Sequence, residues 1–249
     1  MIIAVAMEAI GFISRSISAQ HVTERIPYVL QFSLIILAPV LMAACCYILF
    51  GRILFLVVPA EARTFQLCWV PPRFITPIFV GFDVVALLLQ LGGAVLITSA
   101  DGNSSDAKDK FDLGRKIALV GVVIQMIAFG LFSIAAFRFN FTSKRFAKSA
   151  GEQIEMLDSS GARSKGPRKS ANWNALLRVV NFSTLMILIR SVYRLVEFTE
   201  GKYGYINTHE WCLYVFDALP IFPCAALFVY WHPGKYLPYL GFRLPKHAR

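Results

Sequence analysis

Apolar runs of roughly twenty residues, separated by short polar stretches, recur along the whole chain. That is the length a helix needs to cross a hydrocarbon core about 30 Å thick. The pattern predicts spans over residues 1–14, 28–50, 74–98, 115–137, 175–198 and 210–231. The first is short: fourteen residues reach only ~21 Å at ~1.5 Å per residue. It lacks a basic leading segment and carries Glu8 inside its apolar run, so it does not read as a cleaved signal. The expectation is a span that starts at the membrane surface or whose beginning lies upstream. Pro39, Pro77, Pro220 and Pro223 fall in or near spans. Each frees a backbone carbonyl and tends to bend its helix.

Composition turns this pattern into a class. Of 249 residues, 57% are hydrophobic and 16% charged, against about 25% charged in soluble domains; mean hydropathy is +0.59. The expected fold is all-α, a polytopic helical membrane bundle occupying 1–249 as one domain. The net charge of +10 is a matter of topology rather than of nucleic-acid binding, because the basic residues lie between spans. Eight of them fall in 138–173, from Arg138 to Lys169, and Lys235, Arg243, Lys246 and Arg249 follow the last span. Connection 99–114 is acidic, with Asp101, Asp106, Asp109 and Asp112. The alternation puts the basic 138–173 loop and the 232–249 tail in the cytosol. It leaves Asn103, in an Asn-Ser-Ser sequon, as a glycosylation candidate on the other side.

Nine polar side chains fall inside spans: Glu8, Gln31, Asp83, Gln90, Gln125, Arg190, Arg194, Glu197 and Asp217. Arg190, Arg194 and Glu197, spaced by four and three, share one helix face. A single ionised group near a bilayer centre costs at least ~2.5–3.5 kcal/mol. A charged stripe there must face protein or a hydrated crevice, and the nine residues are candidate lining for a substrate path. Two arginines against the four acids Glu8, Asp83, Glu197 and Asp217 leave that interior negative and suited to a cationic or amphipathic headgroup. The competing reading is interhelical pairing alone.

Other chemistry lacks its residues. All four histidines (His21, His209, His232, His247) lie in connections or at interfaces, where neither an intramembrane zinc hydrolase nor a bis-histidine haem carrier would place them. Five cysteines form no CxxC. Gly161-Ala-Arg-Ser-Lys-Gly166 has P-loop glycine spacing, but Pro167-Arg168 stands where Lys-Ser/Thr is required. The expectation is a non-enzyme with no cofactor and no metal.

Several blocks carry a family resemblance: Glu8-Ala-Ile-Gly-Phe-Ile-Ser-Arg15, Tyr28-Val-Leu-Gln31, Ala43-Ala-Cys-Cys-Tyr47, Asp83 through Gln90 with Gly92-Gly93, Gly121 with Gln125, Arg190-Ser-Val-Tyr-Arg-Leu-Val-Glu197, and Asp217 through Pro220 with His232-Pro233. The chain resembles the fungal lipid-translocating exporters, RTA-like proteins tied to sphingoid long-chain base release and resistance to toxic amphipaths. The resemblance implies a seven-helix multi-pass protein of the plasma membrane, here with six visible spans and the first family helix lacking. It also implies lipid partners, and movement or export of amphipathic lipids as the activity. The alternative class is a seven-helix receptor or stress sensor acting through the 138–173 loop. A lipid-modifying enzyme is a third.

Overall fold

The computed structural model describes residues 1–20, 25–58, 72–99, 107–143, 173–200 and 205–233. Expectations for Asn103, for most of the 138–173 loop, for the glycine-spaced 161–166 segment and for the tail beyond 233 lie outside them. The long helices are α1 (Ile2–Gln20), α2 (Arg25–Val57), α3 (Pro72–Thr98), α4 (Ala107–Thr142) and α5 (Trp173–Glu200). Two short turns follow, α6 (Tyr205–Thr208) and α7 (Glu210–Leu213). A five-residue π-helix, Tyr214–Ala218, then leads into α8 (Leu219–Tyr230). Five helical stretches are long and apolar enough to cross a membrane: Ser33–Phe55, Phe74–Thr98, Lys108–Thr142, Trp173–Glu200 and Trp211–Tyr230. The protein is a multi-pass helical membrane bundle.

Several helices run past the expected spans, α2 to Val57 and α4 to Thr142 among them. The first helix runs to Gln20 rather than stopping at residue 14, so it spans ~28 Å. The helix expected from residue 115 begins at Ala107, because Lys108 and Asp112 lie one turn apart and Asp109 sits in the first turn, where the helix dipole favours an acid.

Consecutive long helices run antiparallel. We call the end bearing connections 21–24, 100–106 and 201–204 the upper end. Small residues set the closest approaches, as membrane helices without a hydrophobic drive require. A Cβ on Gly93 would stand 2.5 Å from the Gly114 carbonyl, and one on Gly121 would stand 2.7 Å from the Ala86 carbonyl. Of the Gly92–Gly93 pair only Gly93 makes this contact; Gly92 faces open space. Gly11 does the same for α1, its added Cβ falling 2.9 Å from Ile35. Toward the lower end the core is aromatic: Tyr47 meets Phe79, Phe129 and Phe132, with Phe50 against Phe132 and Phe139. On α1, Ala4, Glu8 and Gly11 are buried on one stripe while Ile3, Ile10, Ile13 and Ile17 are exposed on the other. That apolar stripe suits acyl chains.

The last span is irregular beside Pro220. A proline ring clashes with the carbonyl four residues earlier, and the wider π turn relieves that constraint. The Leu219 N–H donates to the Tyr214 carbonyl, five residues back.

Candidate functional site

In the upper half, Arg190 and Arg194 of α5 meet acids from two other segments. Arg190 is 2% exposed and bonds in four directions. Its Nη1 donates to Glu8 Oε1 of α1 at 2.8 Å and to the Asp217 carbonyl at 3.0 Å. Its Nη2 donates to the Ile35 carbonyl of α2 at 3.0 Å, and its Nε lies 3.2 Å from Asp217 Oδ1. The Ile35 carbonyl is available for a definite reason: its ordinary helical donor would be the N–H of residue 39, which is a proline. One guanidinium thus ties together α1, α2, α5 and the π turn.

Arg194 grips Asp217 by a planar fork, Nε to Oδ1 at 2.8 Å and Nη2 to Oδ2 at 2.6 Å. Such paired bonds to a carboxylate are among the strong ones. Its remaining terminal nitrogen donates to Glu197 Oε2 at 2.9 Å. Asp217 is fully buried and serves both arginines. The π turn presents it to them together with its own carbonyl.

Five of the nine expected residues therefore form one ion cluster: Glu8, Arg190, Arg194, Glu197 and Asp217. Gln90 and Gln125 come close to it. Gln90 donates to Gln125 at 2.8 Å, and both line a small cavity with Ile35, Pro39, Arg190 and Arg194. It encloses about 40 Å³, room for water rather than a lipid headgroup. Gln31 lies one turn above Ile35 on α2, its Oε1 buried with no partner. Glu8 Oε2 is in the same condition.

Asp83 does not join the cluster. Its Oδ2 accepts from the Tyr47 hydroxyl at 2.9 Å, among the lower aromatic rings. Tyr47 follows Ile35 by twelve residues on α2, so the pair stands ~18 Å below the cluster. The expected balance of two arginines against four acids is corrected accordingly: the cluster holds three acids and a formal charge of −1.

Sequence reasoning missed three features: Tyr47 as the partner of Asp83, the π turn, and the Ile35 carbonyl. The last was legible, because a proline four residues on marks a carbonyl without a helical donor. Ser183, buried, and Asn181, half-buried, are further polar residues of α5 with covered, unpartnered side-chain atoms; their spacing gave no signal.

A protein-family model described as RTA1 like protein matches residues 1–239. Among curated fungal relatives, Protein RTM1 of Saccharomyces cerevisiae is 35% identical over 90% of this chain and 63% of its own length. Protoporphyrin uptake protein 1 of the same species is 34% identical over 86% of this chain and 61% of its own. The sphingoid long-chain base transporter RSB1 of S. cerevisiae (strain YJM789) is 25% identical over 92% of this chain and 62% of its own. The chain thus spans about three fifths of the length of these relatives. No solved structure matches it.

Proposed function

The chain belongs to the RTA1-like protein family, and from that premise we propose that it moves amphipathic lipids with a cationic headgroup, such as sphingoid long-chain bases, between bilayer leaflets. The observation that carries this reading is the balance of donors and acceptors in the ion cluster. Both arginines are engaged by carboxylates and carbonyls, while Glu8 Oε2 and Gln31 Oε1 remain buried without donors. With a formal charge of −1, the cluster is short of one cationic donor. An ammonium headgroup supplies it.

A charge crossing hydrocarbon alone meets a barrier of several kcal/mol. A polar crevice beside lipid-facing helices lowers that barrier, since the headgroup moves among carboxylates and amides while its tail stays in acyl chains. The cavity of about 40 Å³ is lined by α2, α3, α4 and α5 and is too small for a headgroup, so these helices part to admit one. In this reading the upper end faces away from the cytosol, the tail lies in the cytosol, and the protein works in the plasma membrane. The action is transport, with no covalent step.

The relative named for protoporphyrin uptake supports a second reading, movement of an anionic amphipath, in which the arginines exchange acid partners for substrate carboxylates. Purified protein in liposomes with a fluorescent long-chain base separates the two. Faster inward movement than in protein-free vesicles, resisted by unlabelled base but not by protoporphyrin, supports the cationic headgroup. Competition by protoporphyrin alone supports the anionic one, and rates equal to empty vesicles remove transport of either kind.

A further inference from the structure

The buried acid left outside the ion cluster has a chemistry of its own. Asp83 is 1% exposed and sits on α3, in a stretch long and apolar enough to cross the membrane. One oxygen accepts from the Tyr47 hydroxyl; the other, Oδ1, is buried with no partner. Around the phenol stand the rings of Phe79, Phe129 and Phe132. Among the described residues no cation lies within ion-pair distance of Asp83. Among the described residues Tyr47 from α2 is its hydrogen-bond partner, and α4 contributes the rings of Phe129 and Phe132 there.

An ionised carboxylate so placed would lack a counter-charge among the described residues and sit away from bulk solvent. A carboxylic acid in the same place satisfies one oxygen through Tyr47 and leaves only a neutral O–H to accommodate. We propose that Asp83 is a proton-binding site, occupied in this closed arrangement and emptied when the α2–α3 contact at Tyr47 opens to water. Its position favours communication with the ion cluster. Gln90 follows it by seven residues on the same face of α3, ~10 Å higher, and bonds Gln125 at the cavity wall. Proton release at Asp83 and opening at the upper cavity then share one rigid helix. This second half rests on the lipid-movement reading: an inward proton gradient would drive the headgroup the other way, an energy source that needs no nucleotide site.

The test reads the proton directly. Infrared spectra of the purified full chain in lipid should show the carbonyl stretch of a protonated carboxylic acid at neutral pH. Asp83→Asn should delete that band, and Tyr47→Phe, which keeps the acid, should shift it. A wild-type spectrum without the band, or one unchanged in both variants, overturns the site. If Asp83→Asn fails to fold, the Tyr47→Phe shift alone decides. Coupling is read separately in proteoliposomes: a pH difference across the membrane should change the rate of long-chain base movement in wild type, with the response lost in Asp83→Asn. An equal response in both overturns coupling while leaving the proton site standing. Loss of all lipid movement in wild type refutes the transport reading without touching the infrared result.

Discussion

Two buried acids, Asp217 and Asp83, sit on different helices of one bundle and are accommodated in opposite ways. Asp217 takes both guanidinium groups, and its carbonyl takes a further bond from Arg190. Asp83 has a single phenol and a cage of rings. The first arrangement cross-links four segments through charge, so removing the hub guanidinium leaves several partners short of a donor at once. The second depends on one neutral hydrogen bond and can change state without breaking the bundle. In the proposed reading the contrast separates a site that exchanges one cationic donor for another from a site that gains or loses a proton.

The largest effect should come from the hub of the first site. Arg190→Ala strips contacts to α1, α2 and the π turn at once and leaves Glu8 and Asp217 short of a cation. Removing one partner of a buried pair costs ~3–5 kcal/mol, so a marked fall in thermal unfolding temperature in detergent and loss of lipid movement are expected. Unchanged stability would mean that the cluster is hydrated and loose.

Tyr47→Phe probes the other side of the contrast. Stranding a buried acceptor costs ~1–3 kcal/mol, a smaller loss of stability than Arg190→Ala. If the two variants were equally damaging, the division between a cross-linking and a switching acid would be wrong.

Pro39→Ala is subtler. It returns an N–H to the Ile35 carbonyl and makes α2 compete with Arg190 for that acceptor. A shift of about 1 kcal/mol is expected, the size of one hydrogen bond, together with slower headgroup movement and a straighter α2. The Gln90–Gln125 pair should matter least. A double-mutant cycle with leucine at both positions should give a coupling of ~0.6 kcal/mol, usual for polar pairs in membranes. A value several times larger would make the amides part of the ion cluster.

The helices were legible because apolar runs of membrane length leave few alternatives, and the cluster of Arg190, Arg194 and Glu197 because charges in such runs must face inward. Spacing on one helix reveals a face, but not what stands across from it. Helix orientation and rise place Asp83 deeper in its span than Glu8 and Asp217, yet nothing in the spacing shows that Tyr47 stands across from it. The π turn escaped for a related reason: Pro220 announces an irregularity, while its register depends on what Asp217 must reach. The first helix was drawn too short, since its last turns are polar and hydropathy stops where the lipid does, not where the helix does.

The central claim is an ion cluster that lacks one cationic donor, and a matched pair of substrates tests it most directly. In proteoliposomes, a long-chain base with a free amine should move faster than its N-acetylated counterpart. That advantage should disappear in Glu8→Gln, which fills the same space without the charge. Equal rates for the two substrates, or an amine preference that survives Glu8→Gln, would contradict the account.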